Sequence, residues 1–194
     1  MKGIIMKAFK AVQGVPLLLI CTVLILGCGS EASGEEPGGQ SETEGTSTSS
    51  LSIDGFQIIW SVRESNLEIT ASAPTTGWIA VGFEPTAAMK DADIVIGYVE
   101  GGEVFLRDDW GDNYTSHKAD IDLGGTDDVT AVSGYEESGF TGITFSIPLS
   151  SGDEYDHILE EGGTYTIILA YGANDADDFE GYHEWAETLE IELR

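Results

Sequence analysis

Apolar and polar residues alternate with a period of two along most of the chain after residue 51. The alternation is clearest at residues 56–60, 67–71, 78–81 and 94–99. A period of two sends successive side chains to opposite faces of a strand, so these runs predict strands with one face in a core. Similar but weaker patterns predict further strands at residues 104–106, 129–135, 141–147, 164–171 and 186–193.

Turn signals separate these runs about every ten residues. Gly101 and Gly102 lie between two of the strands and predict a two-residue hairpin turn. Only residues 155–159 suggest helix, and then a single turn. Many short strands joined by turns, without a long amphipathic helix, predict an all-β fold built as an antiparallel β-sandwich.

The first residues have the pattern of an export signal. Lys2, Lys7 and Lys10 precede an apolar run at residues 15–26, which is shorter than the roughly 20 residues that a membrane span needs. The run ends in Leu-Gly-Cys and resembles the lipobox of prokaryotic lipoproteins, in which the cysteine, here Cys28, carries the lipid. We therefore expect a signal peptide at residues 1–27; ordinary cleavage or a retained N-terminal anchor are the alternatives.

Residues 28–50 consist mostly of Gly, Ser, Thr and Glu. Such a segment cannot bury enough apolar surface to order itself. It predicts a disordered tether that holds the folded part on the order of 25 Å from the membrane. Residues 51–194 have the length of one domain, which we expect outside the cytoplasmic membrane, on the cell surface or in the periplasm.

The chain is strongly acidic, with 35 Asp and Glu against 8 Lys and Arg and a net charge of −27. This charge excludes sequence-independent binding of nucleic acid and argues against binding of the domain surface to anionic lipid. It indicates either a solvated acidic surface or one that attracts cations or a basic partner. The only cysteines are Cys21 and Cys28, so the folded domain has neither a disulfide nor a thiolate metal site.

Few residues of the domain could carry chemistry. Phosphate loops, nucleophile elbows and paired histidines at metal spacing are missing from the sequence. Residues 175–180 could supply oxygens to calcium or form a solvated acidic loop. His117 and His157 are expected to be exposed. The other candidates are Met89, His183, Trp110, Tyr114, Tyr182 and Trp185.

One block of sequence resembles the core signature of the DOMON family. It comprises Gly-Trp-Ile-Ala-Val-Gly-Phe at residues 77–83, Pro85, Met-Lys-Asp-Ala-Asp at 89–93 and the apolar run at 94–99. Residues 144–149 resemble the Phe-x-x-Pro-Leu region of the family. Residues 164–172 resemble its penultimate strand, and His183 falls where the family often has a histidine.

The resemblance implies an immunoglobulin-like β-sandwich. It also implies that Met89 and His183 bind a b-type haem as axial ligands, because cytochrome members of the family use a methionine and a histidine. A haem closed on both sides transfers electrons and does not activate substrate. Tyr182 and Trp185 flank the histidine as further haem contacts; Trp185 could stack against the porphyrin or fill its space.

Two main functions remain open at this point, beside an autonomous hydrolase or oxidase that would use acid pairs such as Asp108 and Asp109. The first is a membrane-tethered domain that relays single electrons to an unidentified redox partner and has no catalytic residues of its own. The second is a haem-free module that binds carbohydrate through Trp110, Tyr114, Tyr182 and Trp185. For the first, Met89 must be more than core filler, which is the commoner role of a lone methionine.

Overall fold

The computed structural model describes residues 47–194. The predicted signal peptide, Cys28 and most of the predicted tether lie outside the described residues. In order along the described chain, the elements are β1 Ser49–Ile53, β2 Phe56–Arg63, β3 Asn66–Ala73, β4 Ile79–Phe83, β5 Asp93–Glu100, β6 Glu103–Asn113, β7 Ser116–Ala119, α1 Asp120–Leu123, β8 Thr130–Glu137, β9 Phe140–Pro148, β10 Thr164–Gly172 and β11 His183–Glu192.

The strands form two antiparallel sheets. The first sheet has five strands in the order β1-β2-β3-β9-β8, and the second has six in the order β11-β10-β4-β5-β6-β7. All strand pairs are antiparallel. The predicted all-β sandwich is therefore confirmed.

The main core lies between the two sheets. It takes every second residue of the central strands, as the period of two requires. Fully buried members from the first sheet include Phe56, Ile58 and Ile69, and members from the second include Val81 and Leu169. This core explains the strongest alternating runs of the sequence.

The second sheet is also apolar on its outer face. A separate cluster of buried side chains there contains Trp78, Ala80, Ile94 and Ile96. Strand β4 is consequently buried on both faces along its whole length. An antiparallel sheet usually leaves one face in water, so a covered outer face indicates that other segments, or a ligand, pack on it.

The turns and edges agree with the sequence in part. Gly101 and Gly102 both have positive φ, of 62° and 85°, as a two-residue hairpin turn requires, so that prediction is confirmed. The edge strands β1 and β7 were not predicted. The helical turn is α1 rather than residues 155–159. Within the described residues, no helix is long and apolar enough to span a membrane.

Candidate functional site

A cavity of about 690 Å³ opens on the outer face of the second sheet. Its floor consists of outward-facing residues of the central strands, among them Ala80 and Gly82 of β4, Ile94 and Ile96 of β5 and Ala170 of β10. The volume lies within the range of about 300–1,000 Å³ that is usual for small-molecule and cofactor sites. Because the residues that β4 and β10 contribute to the floor are small, they leave space above the sheet, and the floor is apolar.

One wall of the cavity is the connection between β4 and β5, residues 84–92, which we call the Met89 loop. Its backbone is held against β6: Asp91 N donates to Gly111 O at 2.8 Å, and Gly111 N donates to Ala92 O at 2.8 Å. Ala88 and Asp91 have positive φ, of 53° and 60°, so the loop is tightly turned on both sides of Met89. Met89 itself is half-buried and lines the cavity.

His183 lines the same cavity from the start of β11. The pairing of β10 with β11 shifts there: Tyr171 pairs with Trp185, but Gly172 pairs with His183 and leaves Glu184 as an extra residue. In a regular register His183 would share the face of Trp185, because side chains two residues apart point the same way. The irregularity instead places His183 on the face of Ala186, towards the cavity.

The segment that leads to His183, residues 173–182, forms the opposite wall and is called the His183 loop. The indole Nε1 of Trp78 donates to Glu180 O at 3.1 Å, and Trp78 N donates to Ala176 O at 3.1 Å. Phe179 packs against Tyr98 with ring centroids 5.1 Å apart. Trp78 and Phe179 therefore fasten this loop to the outer face of the sheet.

A polar group stands at one side of the cavity. The guanidinium of Arg107 donates two hydrogen bonds to the fully buried carboxylate of Asp109, at 2.5 and 2.7 Å. His117 Nδ1 also contacts Asp109. Burial by itself raises the pKa of Asp109, but the hydrogen bonds from His117 and Arg107 lower it below its usual value. Arg107 and His117 both line the cavity and give it a polar side.

The four aromatic residues proposed for carbohydrate do not form one platform. Tyr182 and Tyr114 line the cavity and are 93% and 57% exposed. Trp110 packs against Tyr155 and His157 instead. Trp185 stacks between Phe56 and Tyr171 against the main core, at centroid distances of 5.7 and 5.6 Å.

Trp185 therefore does not occupy the cavity, and it neither contacts nor obstructs whatever binds there. Its place on the core face follows from the period of two along β11. Of the predicted site residues, the structure brings together Met89, His183 and Tyr182 in one cavity, whereas Trp185 lies on the other side of the sheet.

The remaining histidines were expected to be exposed, and that expectation is wrong. Both are partly buried and hydrogen-bonded. His117 contacts Asp109, and His157 Nε2 donates to Asp91 O at 2.8 Å. These partners could not be predicted from the sequence, because Asp109 and Asp91 are only two among many acidic residues.

The run at residues 175–180 lies in the His183 loop. Its side chains cap the loop itself: Asp178 Oδ1 accepts from Glu180 N at 3.0 Å, and Asp175 Oδ1 accepts from Thr76 Oγ1 at 3.1 Å. Within the part of the chain that the structure describes, the carboxylates that converge as a metal site would are those of Asp93, Asp108 and Asp156. The predicted place for calcium therefore differs from the cluster that the fold forms.

Residues 52–172 match the family model of the DOMON domain. Human DBH-like monooxygenase protein 1 is 29% identical over 163 residues, which cover 84% of this chain and 24% of that protein. The chicken (Gallus gallus) protein of the same name is 30% identical over 135 residues, 68% of this chain and 21% of its own length. The chain thus spans about a quarter or less of the curated relatives it matches.

Two solved structures share the fold. The cytochrome domain of Myriococcum thermophilum cellobiose dehydrogenase superposes with a TM-score of 0.56 at 11% identity, over 76% of this chain and 82% of that one. The cytochrome b domain of pyranose dehydrogenase from Coprinopsis cinerea gives 0.51 at 14% identity, over 69% and 75%. The family match, the two-sheet sandwich and the order of the motifs agree, and the chain belongs to the DOMON domain family.

Proposed function

We propose that the domain binds haem b in the cavity, with Met89 and His183 as the two axial ligands, and relays single electrons. The observation that carries this proposal is the convergence of the two residues. They are 94 positions apart in sequence, Met89 in the Met89 loop and His183 at the start of β11, yet they line one cavity. The fold shared with two cytochrome domains supports it.

The cavity has the properties that a flat, largely apolar cofactor requires. Its floor is apolar and is kept low by Ala80, Gly82 and Ala170. A Cβ on Gly82 would approach Ile168 Cγ1 to 2.7 Å and Ile94 Cγ1 to 3.1 Å, so a larger residue would crowd the floor. The guanidinium of Arg107, at the polar side of the cavity, is a group that can bind the carboxylates that the edge of a haem carries.

Each residue has a defined task in this arrangement. The thioether of Met89 and the imidazole of His183 are the residues that would hold the haem iron, and an iron held by two protein ligands would exchange electrons without binding oxygen. Trp78 and Phe179 hold the His183 loop in place and keep water from the floor. Asp109 fixes the direction of Arg107 and, through its contact with His117, the imidazole as well.

We further propose that the domain acts outside the cytoplasmic membrane, anchored through lipid on Cys28, and has no catalytic activity of its own. The curated relatives are named as monooxygenase-like, but this chain matches only a small part of them. The net charge of −27 would draw a basic redox partner, or one bridged by cations. Replacement of Cys28 by Ser should release the protein from the membrane fraction.

The test of the haem proposal is spectroscopic. Purified protein should take up haem in a 1:1 ratio and show a low-spin spectrum with a sharp reduced α band. Met89→Leu, which roughly preserves volume, and His183→Ala should each abolish that six-coordinate spectrum while the far-UV circular dichroism stays unchanged. Glu184→Gln, next to His183 on the same strand, is the control and should keep the spectrum. Failure of the unaltered protein to bind haem would refute the proposal.

The alternative is a haem-free carbohydrate-binding surface, supported by the exposed rings of Tyr114 and Tyr182 at the cavity. In that case the haem-free protein should bind glycans, and Tyr182→Ala should remove the binding. His183→Ala should then matter no more than Glu184→Gln.

A further inference from the structure

A second group of side chains converges behind the Met89 loop. Asp93 begins β5, Asp108 lies on the neighbouring β6, and Asp156 comes from the connection between β9 and β10. Each offers a carboxylate oxygen, and these oxygens lie within 4.8 Å of one another. Asp93 and Asp108 are only 4% and 3% exposed. We call these three residues the acidic cluster.

The acidic cluster has no cationic partner in the described part of the chain. Within residues 47–194, the ion pairs involve other carboxylates, those of Glu68, Asp91, Asp109, Asp112 and Glu192. Backbone amides compensate only part of the negative charge of the cluster. His157 N donates to Asp93 Oδ2 at 3.3 Å, and Asp128 N donates to Asp108 Oδ2 at 3.0 Å. The charge of the cluster is therefore uncompensated.

Unpartnered oxygens provide a second, independent observation. Among the residues that the structure describes, the buried Asp108 Oδ1 has no hydrogen-bond partner. Asp120 is 1% exposed, and the same residues offer no partner to either of its carboxylate oxygens. A buried polar atom without a partner costs about 1–3 kcal/mol, and a charged one costs more. Native proteins rarely keep such atoms, so oxygens of this kind indicate a missing ligand.

The raised pKa values of Asp108 and Asp120 agree with a missing cation. Burial, opposed in part by the amide of Asp128 and reinforced by neighbouring carboxylates, raises the pKa of Asp108 to about 7. Burial and the charges of Asp108 and Asp156 raise the pKa of Asp120 to about 8. Without a bound cation, the group must therefore retain protons near neutral pH or accept strong repulsion.

We propose that Asp93, Asp108 and Asp156 bind one divalent cation of the calcium type, with Asp120 adjoining them as a further oxygen donor. The donors are carboxylate oxygens from three separate segments, which suits the flexible coordination of calcium. Magnesium would keep more of its water and prefers fewer protein ligands. Cysteine is absent from the described residues, and His157 Nε2 is engaged with Asp91 O, so zinc is not favoured.

The bound cation would brace the Met89 loop. Asp93 directly follows Ala92, the last residue of that loop, and His157 joins the two sites. Its backbone amide contacts Asp93, and its ring contacts the carbonyl of Asp91. The metal site itself stands apart from the proposed haem and is testable without it.

Binding can be measured on the full chain after treatment with a chelator. Titration with Ca²⁺ by calorimetry should give one site and raise the melting temperature, and Mg²⁺ should bind at least tenfold more weakly. Tb³⁺ should occupy the same site and luminesce on excitation of Trp110, whose ring lies 5.3 Å from that of His157, the residue after Asp156. Calcium should displace the Tb³⁺.

Asp108→Asn is the decisive variant, because it keeps the side-chain shape, removes charge and should not impair folding in the absence of metal. It should weaken Ca²⁺ binding at least tenfold, and Asp156→Asn should do the same. Asp178→Asn, at an exposed carboxylate in the acidic His183 loop, is the matched control and should leave the affinity within twofold. No saturable Ca²⁺ binding by the unaltered chain, or equal binding by Asp108→Asn, would overturn the proposal.

Discussion

Replacement of Gly111 by Ala should displace the Met89 loop. A Cβ on Gly111 would lie 1.7 Å from Met89 O, 2.7 Å from Met89 C and 3.1 Å from Ala92 N. All three neighbours are backbone atoms, so no side-chain rotation can relieve the clash. An ordinary contact begins at 3.4 Å, and the loop would have to move away from β6 by about 1.7 Å to reach it.

Such a movement breaks the two hydrogen bonds that join Gly111 to Asp91 and Ala92. Each contributes about 0.5–1.5 kcal/mol, and overpacking of a close contact costs about 1–3 kcal/mol. We therefore expect the free energy of unfolding to fall by about 2–6 kcal/mol. For a domain of this size the melting temperature should drop by about 5–20 °C.

The assay combines thermal unfolding by circular dichroism with the haem spectrum. Gly111→Ala should lower the melting temperature and also weaken the six-coordinate spectrum, since Met89 moves with its loop. Gly101→Ala is the control: its Cβ would meet nothing within 4 Å, and only its positive φ makes it unfavourable. It should cost about 1 kcal/mol and leave the spectrum intact. A Gly111→Ala protein as stable as Gly101→Ala, with an unchanged spectrum, would refute the reasoning.

Three further outcomes can be checked in the same way. Arg107→Gln should destabilise the domain by about 3 kcal/mol in denaturant titrations, because it leaves the buried carboxylate of Asp109 short of a charge partner. In the presence of a chelator, the free energy of unfolding should fall as the pH rises from about 4 to about 8. The folded state holds protons on Asp108 and Asp120, whereas the unfolded chain, with pKa values near 3.8, has already released them. A melting temperature that rises over this range would contradict the assignment. Trp185→Ala should cost about 3 kcal/mol of stability yet leave the haem spectrum unchanged, because its ring packs on the core side of β11.

The central strands and one pair of cavity-lining residues could be predicted from the sequence. Alternation is strongest where a strand has one face in the main core, and β2, β3 and β9 follow this rule. The edge strands β1 and β7 could not be predicted, because most of their residues are polar or only half-buried. Met89 and His183 were found through motif order rather than through periodicity.

The supporting parts of the site could not be read in the same way. The face on which Trp185 and His183 lie depends on a register shift of one residue, and no sequence signal marks where that shift occurs. Asp109, Asp93 and Asp108 are hidden among 35 acidic residues, of which the fold buries only a few. The need for glycine at position 111 follows from its close contact with the backbone of Met89, which the sequence does not show.

The position of the cavity bears on the order in which the protein is assembled. The main core between the two sheets is complete without any contribution from the outer face of the second sheet. Folding can therefore finish before a ligand binds in the cavity, and a ligand can enter from outside without opening the sandwich. Under the proposed function, the haem-free domain would already be folded, and later binding of haem would add stability according to the concentration of free haem.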